Sequence, residues 1–143
     1  MSEMSDVSRR VRATIEQARS DAADRRARAE RDGAHAREFL ELTATPVLRQ
    51  FASVLKSEGF VFRLSTPAGA VRLVSESRHE DFIDLAVDTT QDPVTIMTAV
   101  SHQRGKRVST AERPLRPGVE IDQLIDEDVL EFLLEALPTF VQR

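Results

Sequence analysis

Residues Thr43–Ser65 read TATPVLRQFASVLKSEGFVFRLS, and the apolar spacing changes partway along. Val47, Leu48, Phe51, Val54 and Leu55 recur every three or four residues, which predicts a helix with those side chains on its buried face. Thr45 suits the N-cap, Pro46 suits the first helical position because its missing N–H would have no partner there, and Gly59 marks the stop. Beyond Gly59 the period drops to two: Phe60, Phe62 and Leu64 alternate with Val61 and Arg63, as a half-buried strand requires. A helix handing over to a sheet is the pivot of the fold.

Downstream the period of two persists. Thr66–Gly69 (TPAG) is turn chemistry, and AVRLVSES from Ala70 is a second strand. Phe82–Asp88 (FIDLAVD) points Ile83, Leu85 and Val87 inward and Asp84, Ala86 and Asp88 outward. In Val94–His102 (VTIMTAVSH), Val94, Ile96 and Val100 point inward, with Thr95, Met97, Ala99 and Ser101 outward. Gly105 suits a hairpin residue of positive φ, and RVSTAE after Lys106 is a weaker fifth strand. Links this short make consecutive strands antiparallel neighbours, because a parallel pair needs a crossover of about a dozen residues or more. The prediction is an α+β fold: an antiparallel meander of four or five strands whose apolar face is covered by helices.

Pro114 and Pro117 carry the chain off the sheet. Asp126 then reads as the N-cap of a C-terminal amphipathic helix, with Ile125 and Leu130 spaced as a hydrophobic staple. Its face of Val129, Leu130, Leu133, Leu134, Leu137 and Val141 should pack on the sheet, Glu131 and Glu135 should face water, and Pro138 should end or kink it.

Upstream, Glu3–Leu42 holds no proline and one glycine, and is rich in Ala, Arg, Glu and Gln, which favour helix. Met4, Val7, Val11, Ile15, Ala18, Ala22, Ala29, Ala36 and Leu40 form a narrow stripe. Such a helix is roughly 60 Å long, whereas the rest of the chain makes a globule only about 35 Å across. Part of it must project, bend back at Asp32-Gly33 or pack on another chain. The expected organisation is a projecting or assembly helix over residues 1–42 and one globular domain over 43–143. Met4, Val7, Val11 and Ile15 are the candidate oligomerisation residues.

The chain has 143 residues, 41% of them hydrophobic, enough for one core. It has no cysteine, so stability must come from packing without disulfides or thiolate metal sites. It lacks both a run of 18 apolar residues and a secretory leader, which predicts a soluble, cytoplasmic protein without membrane association. Its net charge of −4 is unevenly placed. Residues 101–118 carry five bases and one acid, while residues 119–143 carry one base and seven acids.

No motif fixes a reaction. His35, His79 and His102 are too scattered for a metal site. Glu80, Asp81, Asp84, Asp88 and Asp92 read as a solvated acidic face, since Asp84 and Asp88 are about 13 Å apart along a strand. Ser53 and Lys56 match the SxxK of serine acyl enzymes without its companion motifs, and RGK at Arg104–Lys106 is not a phosphate loop. The arginines of the first helix have acids four residues away (Asp21–Arg25, Asp24–Arg28, Arg26–Glu30), so that surface should pair with itself. Arg104, Lys106, Arg107, Arg113 and Arg116 are the better candidates for a partner or anion contact. Pairing with the acidic helix is the plainer reading of them, but five bases exceed what an exit loop requires, so a contact surface is expected.

The reading carried forward is a non-catalytic, homo-oligomeric module, adaptor or chaperone-like, that binds a protein partner and needs no cofactor. A nucleic-acid-associated protein using residues 104–116 is less favoured because the chain has neither Tyr nor Trp to stack on bases. A small ligand carrier or enzyme, with a pocket between the sheet and the C-terminal helix, comes third.

Overall fold

The computed structural model describes residues 3–142. Its elements are α1 (Glu3–Phe39), a π-helical turn (Leu40–Ala44), α2 (Thr45–Ser57), β1 (Phe62–Ser65), β2 (Ala70–Ser75), β3 (Phe82–Asp88), β4 (Thr95–Arg104), β5 (Arg107–Pro114), a 3-10 turn (Ile121–Gln123) and α3 (Asp126–Val141). The five strands form one antiparallel meander in the order β1-β2-β3-β4-β5. This is the expected α+β arrangement, with the full count of strands.

The sheet follows its alternation. Leu64 lies opposite Leu73, Leu73 opposite Ile83, and Ile83 opposite Val100, so one face carries a continuous apolar row. Gly59, Gly69 and Gly105 all take positive φ (93°, 72° and 59°) where the chain turns, a region closed to most other residues. In β4 Thr98 follows the alternation to the inward position opposite Leu85, while Ser101, expected outward, is buried. Thr98 satisfies its hydroxyl on the Arg113 carbonyl (2.7 Å), and Ser101 accepts from Thr110 Oγ1 (3.3 Å) beside Phe82, its cross-strand neighbour.

The first two helices are one. Asp32-Gly33, where the chain would have bent back, does not break it: Gly33 is helical and buried, and the helix runs on to Ser57. Thr45, expected as an N-cap, sits inside it with helical angles (φ −57°, ψ −47°), its N–H bonded to the Leu40 carbonyl five residues back. Its hydroxyl donates to the same oxygen at 2.7 Å. The π turn has two causes. Pro46 lacks an N–H and its ring would strike the carbonyl four residues earlier, which a wider turn relieves. The buried residues Ala36, Leu40, Ala44 and Leu48 also follow in steps of four, each overshooting a 3.6-residue turn by about 40°. One wide turn takes that drift back and keeps Phe51 and Leu55 on the same face.

The core lies between the sheet's apolar face and the helices, with Leu48, Leu73, Ile83, Leu85, Ile96, Val129 and Leu133 essentially inaccessible. α3 presents Val129, Phe132, Leu133, Ala136 and Phe140 to it. That stripe is rotated from the expected one: Leu134 is exposed, and Leu130, Leu137 and Val141 are half-buried. Val54 of α2, expected inside, is likewise exposed. Pro138 does not end the element, which runs on to Val141; it sits exposed, where water can take the orphaned carbonyl of Leu134, and Phe140 beyond it meets Phe62 edge-on at 5.5 Å. The cap also differs from expectation. Ile125 holds the extended cap position, 55% exposed rather than stapled inward, and Asp128 returns its carboxylate to the Ile125 N–H at 2.8 Å.

Candidate partner-binding surfaces

α2 and α3 carry more apolar residues than one core can bury, and the surplus lines a groove between them. Val47, Phe51, Val54, Leu130, Leu134 and Leu137 enclose a volume of about 600 Å³. Val54 is 62% exposed and Leu134 53%, so the groove opens to solvent along both helices. Its polar rim is Gln50 and Ser53 on one side and Asp126 and Glu127 at one mouth. Both carboxylates stand on the first turn of α3, where the helix dipole favours negative charge. Nothing ionisable points into the middle. An apolar trough of this shape suits an amphipathic helix better than a reaction.

The second surface is the N-terminal half of α1. Met4, Val7, Val11 and Ile15 are 81%, 56%, 51% and 44% exposed. Their stripe is the same one that continues through Ala22 to Gly33, Ala36 and Leu40, where it becomes the buried face against the globule. The helix thus carries one apolar face from end to end, and within α1 that face is buried only over its last two turns, from Gly33 on. Of the charge pairs expected on its surface, none of the three forms; Asp6 holds Arg9 (2.6 Å) and Arg10 (3.1 Å), and Asp21 accepts from Gln17 (2.9 Å).

The basic segment divides. Arg104 and Arg107 face each other across the β4–β5 hairpin, with Lys106 between them, and all three are exposed. Arg113 and Arg116 are brought instead to α3: Arg113 pairs with Glu135 and lies 5.8 Å over the Phe132 ring, and Arg116 pairs with the buried Asp128 at 3.2 Å. A shallower hollow of about 280 Å³ lies between α3 and β4–β5, the location expected for a ligand pocket. Its polar lining includes His102 and the Arg113–Glu135 pair, which already satisfies itself.

The acidic run around β3 has three separate structural duties. Asp81 accepts the Gln103 N–H (2.9 Å), Asp84 pairs with Arg72 (3.3 Å) above the Phe82 ring, and Asp88 caps the turn after β3. The Thr90 hydroxyl, and then its N–H, hold the Asp88 carboxyl below its ordinary range. Among the described residues no group of three or more His, Asp or Glu lies close enough to share a metal ion, and no helix is long and apolar enough to cross a membrane.

The groove was not foreseen from the sequence. Its signal was the breadth of the α3 pattern, in which Leu130, Leu134 and Leu137 form a second apolar line beside Val129, Phe132, Leu133, Ala136 and Phe140. Comparison with known proteins finds no matching family model, curated protein or solved structure.

Proposed function

We propose that this chain is a non-catalytic, homo-oligomeric partner-binding module, of adaptor or chaperone-like kind, assembled through α1. The observation that carries the reading is the uncovered stripe Met4, Val7, Val11 and Ile15, which continues a buried face beyond the end of the globule. A run of large apolar side chains on a projecting helix is costly in water unless another surface covers it. The exposed bases at the hairpin tip, Arg104, Lys106 and Arg107, remain free to meet an acidic surface on a protein partner and steer its approach. Nucleic acid is the weaker partner for them, because Arg113 and Arg116 are engaged by carboxylates of α3.

Light scattering tests the assembly. The 16.0 kDa chain should give particles of two or more times that mass, and a chain lacking residues 1–22 should give single copies that keep their fold by circular dichroism. The same number of copies per particle for both chains refutes the reading.

A further inference from the structure

Resting on that assembly reading, we propose that the stripe of α1 from one copy lies in the α2/α3 groove of a second copy, and that the exchange is reciprocal. The stripe cannot serve its own groove. Residues 3–57 are continuous helix, so Ile15 lies 32 residues before Val47, about 48 Å away along the axis. Only another copy can bring the two together.

Length, shape and charge match. Met4 to Ile15 spans the same eleven residue steps as Asp126 to Leu137, about 16.5 Å in each helix. The stripe is a narrow ridge of four apolar side chains, and the groove is a trough between two apolar ridges. Arg12 and Arg19, three residues before and four after Ile15, flank one end of the stripe and make no ion pair among the described residues. Asp126 and Glu127 stand at one mouth of the groove.

Closure fixes the direction. α2 and α3 run the same way: Pro46 and Val47 share a hollow with Leu124 and Asp126, and α2 leads into Phe62, which packs on Phe140 near the end of α3. If the two long helices lie antiparallel, each copy's stripe reaches the other's groove and a two-fold dimer closes; a parallel seating leaves a groove open at each end and grows a filament. The antiparallel seating sets Ile15, with Arg12 and Arg19, at the Asp126 and Glu127 mouth, so the charges meet their opposites. It also sets Val7 beside Leu134 and Val11 beside Leu130.

The cysteine-free chain makes this directly testable, because any introduced thiol is the sole thiol. Val7→Cys and Leu134→Cys are both at exposed positions, so neither should disturb folding. An equal mixture of the two single variants, mildly oxidised, should give a disulfide-linked dimer containing one of each. Arg12→Glu with Arg19→Glu should weaken self-association by about tenfold, and Asp126→Lys with Glu127→Lys in the same chain should restore it. Covalent dimers of Val7→Cys with itself, and no link between the two different variants in the mixture, mean that α1 packs on α1; a dimer that links in neither case also overturns the seating. Both leave the oligomeric reading intact. A full-length chain that is monomeric by light scattering overturns both.

Discussion

Leu133 and Leu134 are adjacent in sequence and opposite in consequence. Leu133 is fully buried where α3 meets the sheet, so Leu133→Ala should cost about 2–5 kcal/mol in urea unfolding. Leu134, 53% exposed on the groove wall, should tolerate Ala at a cost within about 0.5 kcal/mol at concentrations where the chain does not self-associate. Asp128 and Arg116 form a similar contrast. The carboxylate is buried and holds both the Ile125 N–H and the guanidinium, whereas Arg116 is half in water. Asp128→Ala should therefore cost about 1–3 kcal/mol through the lost cap and the stranded N–H, and Arg116→Ala only about 0–1 kcal/mol. Leu133 was legible from helical spacing alone. The division between Asp126 and Asp128 was not, since both suit the first turn, and the burial that favours Asp128, with Arg116 beside it, depends on residues distant in sequence.

At the scale of elements, the sheet was readable almost throughout because alternation, glycine turns and short links all pointed one way. The helices were harder, because local signals lost to packing. Thr45-Pro46 is a sound start signal, yet Leu40 and Ala44 on one side and Leu48 on the other are all buried in one core, which holds the chain helical across it. The π turn then behaves as one residue too many. Removing the exposed Leu42 would leave the buried positions spaced four, three and four, as a regular α-helix wants, but would place Pro46 within an unrelieved helix. Deleting Leu42 alone should cost about 3 kcal/mol, and deleting it together with Pro46→Ala should recover most of that loss. Urea unfolding and helical circular dichroism of the two variants decide the matter. Equal losses in both would mean that the turn serves something other than the proline and the stripe.

For the molecule as a whole, the mismatch between helix and globule was evident from residue counts, and with it that part of the helix must project, bend back or pack on another chain. The groove proposed to receive it was hidden, because it is made by two helices some seventy residues apart and appears only once α3 is seen to turn Leu130, Leu134 and Leu137 away from the sheet. The unbroken helix of residues 3–57 has a further consequence. A rigid screw couples length to azimuth, so each residue inserted into the stretch between Ala22 and Gly33 swings everything before it by about 100° around the axis. One alanine placed after Arg26 should leave the globule's melting curve unchanged yet turn Met4, Val7, Val11 and Ile15 to the wrong compass bearing, and self-association should fall. Seven alanines at the same point complete nearly two revolutions. They should restore association and lengthen the particle by about 10 Å in small-angle scattering, as the proposed assembly requires if this solvent-bathed stretch is the gauge by which each copy sets the bearing of the next.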